Sequence, residues 1–228
     1  MFPALYAILD ASSADPIEST ISFADDLVRG GVRLIQLRAK NASAGRLYEI
    51  SQALIAGLKG SARGPANSSS ETSSNLERVM VIVNDRPDIA AMVGAQGVHV
   101  GQEDLPVEAA RTICPSPLWV GVSTHNLDQL RAADGTSADY IAVGPIFQTA
   151  TKQNPDPIVG LDFLRKARNL TRKPLVAIGG ITVKSAGQVF RAGADSVAVI
   201  SDLRSAPDPV QRASEYLEIA RATPRASG

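Results

Sequence analysis

The chain has 228 residues, 44% of them hydrophobic, and its 23 basic side chains balance 23 acidic ones, so no general attraction to nucleic acid or to an anionic membrane is built in. A single cysteine excludes an internal disulfide framework, and Met1-Phe2-Pro3 begins neither a signal peptide nor a membrane span, so a cytoplasmic location is expected. Length and the abundance of small and aliphatic side chains suit one sizeable α/β domain, and any anion site in it must be local.

In chain order, residues 5–9 form an apolar strand closed by Asp10. Asp15-Pro16 then opens a helix reaching Gly30-Gly31, with Ile17, Ile21, Ala24, Leu27 and Val28 at mostly three- and four-residue spacing. Residues 33–38 read as the second strand. Its continuation, QLRAK, sets Gln36, Arg38 and Lys40 on one face by the two-residue period, while Leu34, Ile35 and Leu37 make the strand too apolar for an exposed edge. Three polar or cationic groups therefore point the same way at the end of a buried strand.

A second helix over 44–58 ends at Gly60 and leads into a serine-rich tract, about 60–76, expected as an inserted surface loop. The third strand, 79–83, ends in Asn84-Asp85-Arg86, and Pro87 opens a short helix to Val93. The fourth, 97–100, runs into GQEDLP, where Pro106 starts another helix. The fifth, 119–122, is followed by Ser123, Thr124, His125 and Asn126, the last a helix cap. The sixth, 140–143, breaks at Gly144-Pro145 into a polar loop carrying Thr149, Thr151 and Lys152. These hydroxyls and the ammonium can wrap an anion, or the threonines can cap a turn beside a solvated lysine. A helix over 161–170, a strand over 175–178 ending in Gly179-Gly180, and a strand over 196–200 ending in Ser201-Asp202 follow. A last helix spans about 209–222, and a polar tail occupies 223–228.

Alternating strands and helices allow a closed (β/α)8 barrel or a doubly wound open sheet, and the count of eight strands selects a single-domain α/β TIM barrel over residues 1–222. In that fold the C-terminal strand ends form one mouth where active sites are built. Gln36, Arg38, Lys40, Asn84, Asp85, Asp104, Ser123, Thr149, Thr151, Lys152, Gly180 and Ser201 all fall at or just beyond such ends. Gly179-Gly180 and Ile200-Ser201, after the last two strands, suit a monophosphate held on backbone amides, with a tight turn that merely needs glycine as the alternative. Asp85 and Asp104 are each candidate helix caps when taken singly. Together with Arg38, Lys40 and Lys152 they describe a Mg²⁺ with a diphosphate.

The segments QLRAK, VNDRPDIA, GVHVGQEDLP, GVSTHN, ADYIAVGPIFQTATK, VAIGGIT and GADSVAVIS, in this order and spacing, resemble the thiamine-phosphate synthase family over nearly the whole chain. The resemblance implies a Mg²⁺-dependent transferase that joins 4-amino-2-methyl-5-pyrimidinylmethyl diphosphate to 4-methyl-5-(2-phosphoethyl)thiazole, giving thiamine phosphate and diphosphate. It implies that Gln36, Leu37, Arg38, Ala39, Lys40, Asn84, Ser123 and Lys152 bind the pyrimidine diphosphate, with Arg38, Ser123 and Lys152 acting in catalysis. Thr149, Ala150, Thr151, Gly180, Ile200 and Ser201 would hold the thiazole phosphate, and Asp85 and Asp104 the Mg²⁺. The partners are then two small molecules, with neither nucleic acid nor membrane, and a homo-oligomer is compatible with this reading. The chain departs from the family pattern in its longer serine-rich insert and in Ala39, a position often acidic.

Two rival readings stand beside this one, the nearer an enzyme of similar fold and the other from a different class. His125 lies at the mouth, and thiazole tautomerases of similar fold carry a functional histidine in a Ser-x-His segment, so an isomerase of the thiazole phosphate is one. The other is a non-catalytic barrel that binds a phosphorylated thiamine precursor. The intact Asn84-Asp85-Arg86 and Thr149-Ala150-Thr151-Lys152 argue against the first, and two aspartates with three cations against the second. His99, between Val98 and Val100, is expected as a satisfied interior imidazole, and Cys114, before a Pro-Ser-Pro turn, as structural.

Overall fold

The strand segments are short and rich in Val, Ile, Leu and Ala on both faces, which requires cover on both sides and suits a parallel sheet closed on itself. The computed structural model describes residues 2–12, 14–61, 79–149 and 157–224. In it β1 (Leu5–Asp10), β2 (Leu34–Arg38), β3 (Met80–Asn84), β4 (Gly97–Val100), β5 (Trp119–Thr124), β6 (Tyr140–Val143), β7 (Leu175–Ile178) and β8 (Ser196–Val199) pair in chain order, all parallel, and β8 returns to β1. The fold is a (β/α)8 TIM barrel. Around it lie α1 (Ile17–Arg29), α2 (Ala44–Ser61), α3 (Pro87–Val93), α4 (Val107–Ile113), α5 (Leu127–Asp134), α6 (Gly160–Leu170) and α7 (Val183–Arg191). After β8 come a four-residue helix, α8 (Ser201–Arg204), and the longer α9 (Pro209–Ala222).

Alternation along each strand sorts the side chains into two cores. Ile35, Leu37, Val98, Ile141 and Val143 face the helices. Tyr6, Leu34, Ile82, Tyr140, Val176 and Ala198 fill the barrel. Gly121 makes room for one of them, since a Cβ there would lie 2.0 Å from Tyr140 Cζ. At the N-terminal end Phe2 stacks on Trp119 with ring centroids 5.1 Å apart and leans on Tyr140, closing the barrel below.

Several boundaries differ from the sequence reading by one to three residues. The last strand stops at Val199 because Ile200 turns away (φ −116°, ψ −80°) to start α8. The third and fifth strands instead run on to Asn84 and Thr124, and α2 continues to Ser61. Asn126 caps α5 as expected, its side-chain oxygen accepting from the Gln129 amide at 2.9 Å. The serine-rich tract from residue 62 onward, Ala150, Thr151 and Lys152, and the tail from 225 lie outside the described residues. Among the described residues no helix is long and apolar enough to cross a membrane.

Candidate active site

The C-terminal strand ends enclose a cavity of about 470 Å³, a size that suits small phosphorylated molecules. Gln36, Arg38 and Lys40 enter it from β2 and its loop, Asn84 and Asp85 from the end of β3, and His99 and Asp104 from β4 and beyond. Ser123 and His125 enter from β5, Thr149 after β6, Gly180 after β7, and Ile200 and Ser201 after β8.

Asp85 and Asp104 form the acidic side of the cavity. Burial, then a hydrogen bond that the protonated Asp85 donates to Asp104 and the like charge of that neighbour, push the Asp85 carboxyl up to about 6, while Lys40 and Arg38 pull the other way. Neither aspartate caps a helix, since α3 and α4 begin at Arg86 and Pro106 without a side-chain cap. Asp104 Oδ2 instead accepts from the Gly101 amide at 2.7 Å, which fixes its carboxylate in the loop. Asp85 has φ +62°, the left-handed region that non-glycine residues seldom occupy, held by its amide donating to the His99 carbonyl at 2.8 Å. A strained backbone that carries a half-buried carboxylate toward a second one is a site feature, not a stability feature.

On the cationic side Arg38 is ion-paired with Asp10, which the parallel register of β1 and β2 sets directly beside it. Asp10 thus anchors the guanidinium at the cavity wall, and part of its charge is already compensated. The floor is polar but closed to bulk water. His99, Tyr140, Tyr6 and Gln36 are buried and linked by hydrogen bonds, and burial pushes the His99 imidazole down to about 4 against the pull of Asp104. His125 donates from Nδ1 to the Gly144 carbonyl at 2.7 Å, so that nitrogen carries hydrogen.

At the opposite rim Gly179 and Gly180 are both left-handed, with φ of 100° and 63°. The β6 loop packs so closely that a Cβ on Gly180 would sit 2.3 Å from the Gln148 carbonyl oxygen. Ser201 opens α8, and the next residue, Asp202, is held by Arg212 Nη1 at 2.9 Å and Tyr216 Oη at 2.8 Å. Tyr216 Oη also lies 3.2 Å from the Ile181 carbonyl, so α9 braces the loops after β7 and β8 together.

The family model described as thiamine monophosphate synthase matches residues 68–203. A thiamine-phosphate synthase from Koribacter versatilis is 48% identical over 220 residues, 95% of each chain. The chain belongs to the thiamine monophosphate synthase family. Among its relatives, a thiamine-phosphate synthase from Methanospirillum hungatei is 38% identical over 94% of this chain and 96% of its own. Among solved structures, a thiamine phosphate pyrophosphorylase from Pyrococcus furiosus superposes with a TM-score of 0.77 at 31% identity, covering 96% of this chain and 95% of that one.

Set against the residues expected of a thiamine monophosphate synthase, the described positions divide cleanly. Gln36, Arg38, Lys40, Asn84, Asp85, Asp104, Ser123, Thr149, Gly180, Ile200 and Ser201 all line the one cavity. Leu37 and Ala39 do not: their side chains are buried in the helix-facing core, because the two-residue period that turns Gln36, Arg38 and Lys40 inward turns them out. Asp10, Tyr6 and Tyr140 were not singled out from the sequence, and each reads there as an ordinary strand residue. Cys114 is buried away from the mouth, its thiol 3.3 Å from the Pro87 carbonyl.

The donor set suits a divalent cation. Among the described residues no group of three or more His, Cys, Asp or Glu could hold a metal, so protein ligation would be limited to the Asp85 and Asp104 pair. Mg²⁺ is commonly held in this way, by one or two carboxylates with phosphate oxygens and water completing its shell. Burial raises the Asp85 carboxyl most, and the like charge of Asp104 that adds to it is what such an ion would relieve.

Proposed function

We propose that this chain is a transferase that condenses 4-amino-2-methyl-5-pyrimidinylmethyl diphosphate with 4-methyl-5-(2-phosphoethyl)thiazole to give thiamine phosphate and diphosphate. One observation carries the reading: the paired carboxylates Asp85 and Asp104 share a cavity with Arg38 and Lys40 in a chain 48% identical to a thiamine-phosphate synthase. Acids and cations gathered in one mouth suit a polyanion with a bridging metal rather than a single monoanion.

The chemistry needs no protein nucleophile. The C–O bond to diphosphate breaks and its electron pair leaves with the diphosphate, the electron-rich aminopyrimidine supports the methylene cation that results, and the thiazole nitrogen lone pair then forms the C–N bond to that carbon. Mg²⁺, held by Asp85 and Asp104, would supply neutralisation of charge on the departing diphosphate. Arg38 and Lys40, joined by Lys152, take up the remaining developing charge, and Asp10 keeps the guanidinium in place. Gln36, Asn84 and Ser123 orient the pyrimidine, with Leu37 and Ala39 adding backbone alone. Thr149, Gly180, Ile200 and Ser201, with Ala150 and Thr151, hold the thiazole phosphate so that the ring nitrogen faces the reacting carbon. A cytoplasmic site of action agrees with a chain that carries one cysteine.

Incubation with both substrates and Mg²⁺, followed by an assay for diphosphate, tests the reading. Release that requires all three components is expected. Absence of release, or release from the pyrimidine diphosphate at the same rate without the thiazole, overturns it.

A further inference from the structure

Along the cavity floor five side chains form one continuous series of hydrogen bonds. Gln36 Nε2 lies 2.9 Å from Tyr6 Oη, which lies 2.9 Å from Tyr140 Oη. Tyr140 Oη lies 3.0 Å from His99 Nδ1, and His99 Nε2 lies 2.8 Å from Ser123 Oγ. Both tyrosines, Gln36 and His99 are buried, so no bulk solvent offers spare partners, and each group must satisfy its neighbours from a fixed inventory of hydrogens and lone pairs.

That inventory sets a direction. With Gln36 Nε2 turned toward Tyr6 the amide can only donate, so Tyr6 accepts, and the arrangement that leaves no buried hydroxyl hydrogen without an acceptor passes its one hydrogen to Tyr140. Tyr140 accepts in turn and donates to His99 Nδ1. Because Nδ1 is then a lone pair, the ring is neutral and carries its hydrogen on Nε2, which donates to Ser123 Oγ. The hydroxyl hydrogen of Ser123 is left for the cavity. At the other end Gln36 Oε1 makes no hydrogen bond among the described residues, is not a buried orphan, and belongs to a cavity-lining side chain, so it presents a lone pair to the same space.

We propose that Tyr6, Tyr140 and His99 are positioning residues that fix an acceptor at Gln36 and a donor at Ser123, and thereby select an aromatic ring bearing an exocyclic amine over its oxo counterpart. The inference rests on the pyrimidine reading given under Proposed function. An amine facing Gln36 Oε1 donates to it. An oxo group there would oppose two acceptors in a desolvated site, and sites built on such hydrogen bonds reject the mismatched analogue by orders of magnitude. A lone glutamine could turn its amide over and accept either ring. Here a half-turn of the amide would require every hydrogen in the relay to be reassigned together, ending with Ser123 as an acceptor.

Two measurements decide the matter. The chain has two histidines, so nitrogen-15 labelling of histidine in the full chain, with His125→Asn for assignment, reads the His99 tautomer from long-range proton–nitrogen correlations. A single tautomer protonated on Nε2 near neutral pH is expected. Protonation on Nδ1, or on both nitrogens, overturns the proposal. This measurement needs no turnover, so it separates failure of the relay from failure of the proposed reaction. The second compares Tyr6→Phe, which removes one oxygen and keeps the ring, with the unmodified enzyme on the aminopyrimidine diphosphate and its 4-oxo analogue. The ratio of kcat/KM values, amino over oxo, should fall by about tenfold or more, with KM for the thiazole phosphate within about twofold. A purely structural role would depress both pyrimidines alike, and an unchanged ratio overturns the proposal.

Discussion

Replacing Asp85 by Asn should stabilise the metal-free protein while disabling it. Asn is the informative substitution because it removes the charge and still tolerates φ +62°, where Ala would add backbone strain. With the Asp85 carboxyl at about 6 against an ordinary 3.8, the folded state holds its proton more tightly than the unfolded state. The carboxylate therefore costs nothing below about pH 4, costs progressively more as pH rises to about 6, and costs its full amount above that. At face value the displacement amounts to about 3 kcal/mol, and since Asp85 is half-buried, solvent screening brings it to about 1–2 kcal/mol. In a chain of this size that corresponds to about 3–6 °C in melting temperature.

Thermal or urea unfolding in a chelator, from about pH 4 to pH 8, is the assay. Asp85→Asn should match the unmodified protein at the acid end and exceed it by the stated amount above about pH 6. Added Mg²⁺ with diphosphate should stabilise the unmodified protein and leave the variant unmoved, and turnover of the variant should drop about a hundredfold. A variant no more stable at neutral pH, or one whose advantage grows as pH falls, refutes the account of the acidic pair.

Gly180→Ala must place a Cβ 2.3 Å from the Gln148 oxygen at φ +63°, so it should cost about 1–3 kcal/mol and raise KM for the thiazole phosphate about tenfold; a normal KM would remove Gly180 from that site. Lys152→Ala should mainly lower kcat, by about a hundredfold, and Thr151→Val should mainly raise KM for the thiazole phosphate through a lost hydrogen bond of about 1–3 kcal/mol. Kinetics with each substrate varied in turn checks that pair, and matching defects would show that the two residues do not divide the anions. Cys114→Ala should keep kcat within about twofold, and the native thiol, which burial pushes up, should react slowly with a disulfide reagent. Deleting residues 68–74 should leave kcat and both KM values within about twofold, because loop length enters closure entropy only logarithmically.

The fold was readable because its signals are local. Strand and helix alternate with punctuation by Gly and Pro, and the ends of α3, β4, β6, β7 and α9 fall where the sequence places them. The inward row Gln36, Arg38 and Lys40 was legible from the two-residue period alone. What escaped is what closure creates. Nothing near Asp10 marks it as the partner of Arg38, since that pairing depends on β1 and β2 being neighbours in a particular register. The Tyr6–Tyr140 contact spans 134 residues, and both rings read as plain core side chains until the barrel brings them together. His99 was read as a satisfied interior imidazole, and its two partners at 3.0 and 2.8 Å bear that out. The family resemblance places Leu37 and Ala39 among the residues that bind the pyrimidine diphosphate, and the pleat sends their side chains into the helix-facing core.

The pleat of β2 also makes its length a harder constraint than its composition. Over five positions the strand hands alternate side chains to two unlike media, a polar, charge-lined cavity and a greasy seam beneath the helices. Substituting one residue damages one medium at one point. Inserting or deleting a single residue upstream of Gln36 would exchange the two sets wholesale, driving an arginine into the seam and a leucine into the mouth. Along β2, chains descended from this one must therefore keep count.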